Sequence, residues 1–138
     1  MLGLSINPFA VVVSALAVFL IGALWYSPLL LGRQWVAAHG YTGEKLVEMR
    51  KSAAQSYAVS FLCYLLMGAV LSVLAGEAGV ATARDGLRLG ALCWVGFAAT
   101  IGLTANLFSE KPLAAYLIDA GYQLVYLAVM GAIVGGWQ

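Results

Sequence analysis

Charge is scarce in this sequence. Only 9% of its 138 residues are Asp, Glu, Lys or Arg, whereas soluble domains run near a quarter. So short a chain with so little polar surface cannot be a water-soluble globular domain, and the 63% hydrophobic share makes lipid its solvent. The net charge of +1 gives nucleic acid no purchase, so no nucleic-acid partner is expected. Cysteine is nearly absent, and Cys63 and Cys93 both lie within apolar runs, which excludes a disulfide framework and a cysteine metal site. The one histidine, His39, cannot build a metal centre alone and is read as a solvated loop residue. There is no Ser-His-Asp set, no pair of carboxylates in one span, and no CxxC, HExxH or phosphate loop. These absences argue against a hydrolase or oxidoreductase. No catalytic residue, metal or cofactor is expected, and the chain is read as a non-enzyme.

What is present is four long apolar runs. The hydrocarbon core of a bilayer is about 30 Å thick and takes roughly 20 apolar residues as a helix. Four segments qualify, at about 8–31, 53–75, 87–108 and 113–137. The fold class is therefore all-α: a polytopic membrane protein, a four-helix transmembrane bundle, with the whole of 1–138 as one transmembrane domain. Asn7-Pro8 supplies an N-cap and a first-turn proline for the first span, and Ser27-Pro28 marks its end. No Lys or Arg precedes Arg33, so this run lacks the positive region of a signal peptide and reads as a retained helix. Thr82 to Asp85 resembles a capping box opening the third helix. Ser109-Glu110-Lys111-Pro112 forms a tight turn that folds the third and fourth helices into an antiparallel hairpin.

The polar connection 32–52 carries Arg33, Lys45, Arg50 and Lys51, and the 109–112 turn carries Lys111, against Arg84 and Arg88 on the other side. The excess of basic residues places both of those connections in the cytoplasm and both termini outside, in a multi-pass protein of the cell membrane. Residues 44–51 have helical spacing and extend the second span, while 34–39 lies in the interface with Trp35 as anchor. Each span holds a Gly-Ala-aliphatic triplet, at Gly22, Gly68, Gly90 and Gly131. The pattern admits a duplicated hairpin, although glycine and alanine recur in membrane helices without one.

One acidic residue stands apart. Asp119 falls about two turns into the fourth span, and a charge there costs roughly 2.5–3.5 kcal/mol on insertion scales. Tyr116, Asp119, Gln123 and Tyr126 follow at spacings of three, four and three, which puts them on one helical face. Thr100 and Thr104 share a face of the third span, with Asn106 nearby, and Ser56, Ser60 and Cys63 form a strip on the second. A polar core follows, with Asp119 either a proton or cation site or a packing group satisfied by its neighbours. Gly86/Gly90 and Gly131/Gly135 match small-xxx-small spacing for close helix contact. Such a face also admits a second subunit, so a homo-oligomer is expected, a dimer first. Trp25, Tyr26, Trp35 and Trp137 lie near span boundaries and read as aromatic-belt anchors.

Three stretches carry a family resemblance: Ile6-Asn7-Pro8 leading to Gly22-Ala23-Leu24-Trp25-Tyr26-Ser27-Pro28, then Trp94 through Thr100, then Lys111-Pro112 through Leu117-Ile118-Asp119-Ala120-Gly121-Tyr122. The chain resembles a family of small four-span membrane proteins known as domain of unknown function 1761. The resemblance implies a fold and a location and no activity. One departure is Ser109-Glu110-Lys111-Pro112, where the family is associated with a Glu-Gly-Arg-Pro-like turn. On the residues themselves, the leading expectation is a small transporter or channel-like protein with Asp119 as its proton or cation site. The alternative is a non-catalytic scaffold or accessory subunit, and third comes a membrane enzyme acting on an apolar substrate.

Overall fold

Asn7 starts the first helix, its Oδ1 accepting the N–H groups of Phe9 and Ala10 at 3.1 and 3.3 Å. The computed structural model describes residues 6–137. Helix α1, Pro8–Trp25, ends six residues before the position read from the sequence. Pro28 disfavours helix at Ser27, and turn bonds take over, with Gly32 N–H donating to Ser27 O at 3.0 Å. The 32–52 connection then folds into two short helices. These are α2, Gly32–His39, stopped by Gly40 at φ +67°, and α3, Gly43–Lys51, capped by Thr42.

Helix α4 spans Ala53–Glu77. Thr82 accepts the Asp85 N–H at 3.2 Å and opens α5, Ala83–Cys93. A π-helical segment, Trp94–Ala98, joins it to α6, Ala99–Phe108, and α7 runs Leu113–Gly136. Four helices, α1, α4, the continuous α5–α6 rod and α7, are long and apolar enough to cross a membrane. The described residues contain helices and turns and no strand. The chain is an all-helical, multi-pass membrane protein.

Helix α7 is the hub. Ala10, Val18, Leu71, Ala75, Tyr122, Tyr126, Met130 and Val134 form the core, drawn from α1, α4 and α7. Phe19 packs edge-on against Tyr57 and Phe61, while Gly68 lies under Val11 and Ser14, so α1 and α4 run antiparallel. Asn7 Nδ2 donates to the Trp137 carbonyl at 3.0 Å, which brings the first and last spans together at one end of the bundle. The opposite end holds α2, α3 and the 109–112 turn. Helix α6 buries no residue.

That turn contains the one non-glycine residue with positive φ among the described residues, Glu110 at +57°. The left-handed region costs an L-residue with a Cβ roughly 1–2 kcal/mol. The family resemblance implies a Glu-Gly-Arg-Pro-like turn, with glycine at this position. Glu110→Gly is therefore expected to stabilise the chain by about 0.5–1 kcal/mol, after the extra unfolded-state entropy of glycine is deducted. Thermal unfolding in detergent checks it, with Glu110→Ala as the control that keeps the strain.

A candidate intramembrane carboxylate site

Asp119 lies six residues into α7, about 9 Å along the helix from Leu113. Its Oδ1 accepts two hydrogen bonds, from the Tyr26 hydroxyl at 2.5 Å and the Trp35 indole N–H at 3.0 Å. Tyr26 comes from the turn after α1 and Trp35 from α2, so the connection read as an interfacial loop reaches over the span and covers the acid. Burial first, then the bond to Asp119, pushes the Tyr26 hydroxyl well above its ordinary pKa and keeps it a donor. The flanking carbonyls of α7 are also engaged. Trp25 donates to Ile118 O at 3.1 Å and Trp94 to Ala120 O at 2.9 Å. A helical carbonyl has a second lone pair for such a bond. Three of the chain's four tryptophans thus aim their N–H groups at one turn of α7.

The backbone makes room for this. A Cβ on Gly121 would come within 3.2 Å of the Trp25 ring, and one on Gly22 within 2.6 Å of the Tyr122 hydroxyl. Freed of that obstacle, the Tyr122 hydroxyl donates to Val18 O at 3.0 Å, with the Tyr64 hydroxyl 3.2 Å away. The rings of Tyr26, Tyr122 and Tyr126 then follow edge to face, at 5.3 and 4.8 Å, from the carboxylate into the core. The π-helical segment begins at Trp94, and such insertions are frequent at functional sites.

The residues expected around Asp119 divide. Tyr116, Asp119 and Gln123 line a small cleft of about 160 Å³ between α6 and α7, shared with Asn106 and Lys111. The Tyr116 hydroxyl crosses that cleft to Ala99 O at 2.6 Å. Tyr126 is buried one turn further on, its ring against Tyr64 and Tyr122. Thr100 and Thr104 are not brought to the acid. Both are exposed, and each hydroxyl bonds carbonyls of its own helix three and four residues back. Membrane threonines satisfy themselves this way when no partner helix faces them.

Of the second-span strip, Ser56 and Ser60 line a larger cavity with Asp119, and Cys63 points outward. That cavity, about 1130 Å³, opens between α1, α2, α3 and α4. His39 is not solvated as expected: it stacks on Tyr41 at 4.7 Å and packs against Trp35 at 4.5 Å, with Nε2 buried and unpartnered among the described residues. Trp25, Tyr26 and Trp35, read as belt anchors, instead point inward as donors. Among the described residues Asp119 meets no cation within ion-pairing distance, and Arg88 pairs with Asp85 at 3.4 Å. Also among them, no group of three His, Cys, Asp or Glu side chains is placed to hold a metal.

The fold and site define a class: a four-span helical membrane protein whose last span carries a carboxylate held by aromatic donors from the connection that follows the first span. The chain belongs to the family described as protein of unknown function (DUF1761), whose model matches residues 9–135. Neither the curated proteins nor the solved structures show a match to it. The three stretches that carry the family resemblance meet at one place, since Gly22, Trp25 and Tyr26 of the first and Trp94 of the second all contact residues 118–122 of the third.

Proposed function

We propose that this protein is a small, non-enzymatic transporter or channel-like protein of the cell membrane, with Asp119 as its proton or cation site. The supporting observation is that Asp119 opens onto two cavities, one on each side of α7, while its described partners are two neutral donors on a single oxygen. A carboxylate that served packing alone has no need of access from both sides. Basic residues favour a cytoplasmic position for α2, α3 and the 109–112 turn, with both termini outside. Self-association, a dimer first, belongs to the same reading. Gly86, Gly90, Gly131 and Gly135 are occupied within the chain, so the contact falls to the outer face of α6.

The test is reconstitution into dye-loaded liposomes under an imposed pH or monovalent-cation gradient. Protein-dependent flux is expected, with Glu48→Cys and Ala81→Cys labelled from opposite faces and a cross-linked species at twice the chain mass. A protein that inserts in this orientation yet passes neither protons nor cations refutes the reading. The second reading, a scaffold or accessory subunit, draws on the Trp25 and Trp94 bonds, which go to backbone carbonyls and hold helices in register.

A further inference from the structure

The larger cavity has a polarity that a proton or cation site leaves unexplained. Its walls are mostly apolar, with Phe19 and Ala23 of α1 and Leu46 of α3, and its rim carries Arg33 of α2 and Arg50 of α3. Both arginines are exposed, and neither meets a carboxylate among the described residues. At about 1130 Å³ the cavity lies just above the range for small-molecule sites, roughly 300–1,000 Å³. A proton or metal cation needs no such volume and makes no use of two guanidinium groups.

We infer that this cavity is a binding site for an anionic phospholipid, with the phosphate on Arg33 and Arg50 and one acyl chain along the α1–α4 walls. Guanidinium groups match phosphate oxygens in geometry as well as charge, and basic pockets between membrane helices are a recurrent headgroup site. The Asp119 carboxylate at the inner end opposes a deep phosphate and so keeps the headgroup at the rim. The surrounding lipid supplies the ligand directly. The inference stands on the two arginines and the cavity shape, independently of whether Asp119 conducts.

Delipidated protein in detergent is offered phosphatidylglycerol and phosphatidylcholine, and native mass measurement counts the lipid retained. Phosphatidylglycerol is expected to be favoured, and the Arg33→Gln/Arg50→Gln pair to reduce its retention by roughly tenfold or more, on the strength of two surface cation contacts. Lys45→Gln/Lys51→Gln makes the same charge change away from the cavity and should alter retention less than about twofold. Ala23→Phe, which fills an apolar wall, should reduce retention with both arginines intact. An equal loss in the lysine pair shows general surface attraction and overturns the proposal, as does the absence of any phosphatidylglycerol preference. Glycerol 3-phosphate competing as strongly as the lipid overturns it too, because the apolar walls then contribute nothing. All four proteins carry the native Asp119, so an arginine pair that keeps native phosphatidylglycerol retention while flux is intact refutes this inference alone.

Discussion

Asp119→Asn should leave the bundle folded within about 1 kcal/mol of the native chain, whereas Asp119→Leu should cost about 1–3 kcal/mol. The difference lies in what each does to Tyr26 and Trp35, both of which donate to Oδ1. Asparagine keeps an acceptor oxygen at that position and removes only the ionisable group. Leucine leaves a hydroxyl and an indole N–H without an acceptor, at the Asp119 side of α7 where the Ile118 and Ala120 carbonyls already accept from Trp25 and Trp94. Hydrogen bonds between membrane helices average nearer 0.6 kcal/mol than their soluble counterparts, which sets the lower end of the range for leucine.

Unfolding titrations in mixed detergent read the stability, and liposome flux reads the function. Asparagine that folds normally and abolishes flux supports the proton or cation site. Asparagine that folds normally with flux intact sinks that assignment and leaves the polar-core scaffold. If asparagine destabilises as severely as leucine, the acceptor oxygen is not what Tyr26 and Trp35 require, and the account of the site is wrong.

Gly90→Ala and Gly131→Ala should each destabilise by about 1–3 kcal/mol, and Gly131→Leu should prevent α5 and α7 from docking at all. A Cβ at Gly90 would lie 2.0 Å from Leu127 O, and one at Gly131 would lie 2.1 Å from Gly86 O. These neighbours are backbone atoms and cannot rotate aside, so the helices must separate by more than an ångström along their closest approach. That separation also forfeits the dispersion contacts and weak Cα–H to carbonyl bonds of a glycine interface. The two alanine changes act on one interface, so their effects should be less than additive. Gly76 is the control: nothing lies within 4 Å of a Cβ built there, and Gly76→Ala should be neutral or stabilising by up to about 1 kcal/mol. A tolerated alanine at Gly131 would show that α5 and α7 pack elsewhere.

The number of spans, their approximate limits, the helix caps at Asn7 and Thr82, and the singular position of Asp119 were all legible in one dimension. Each follows from the length of an apolar run, a single capping side chain, or one acidic residue where insertion is costly, and none needs a second helix. The glycine spacing was equally plain, but which helix would fill it was not: the 86/90 and 131/135 pairs meet each other within the chain. Helical periodicity put Tyr116, Asp119, Gln123 and Tyr126 on one face of α7; the first three line the cleft against α6, while Tyr126 lies in the core.

What periodicity could not supply was the partner. Whether Asp119 faces Thr100 or Tyr26 depends on the rotation and tilt of each helix about its neighbours, and a π-helical segment at Trp94–Ala98 resets that rotation midway along the third span. Local hydropathy is equally blind to the direction of an indole at a span boundary. Trp25 and Trp35 look like belt anchors until the break after Trp25 and the fold of α2 turn their N–H groups toward α7. The residues that hold the acid come from α1, the turn after it, α2 and the α5–α6 rod, so only the packing of separate helices determined the site.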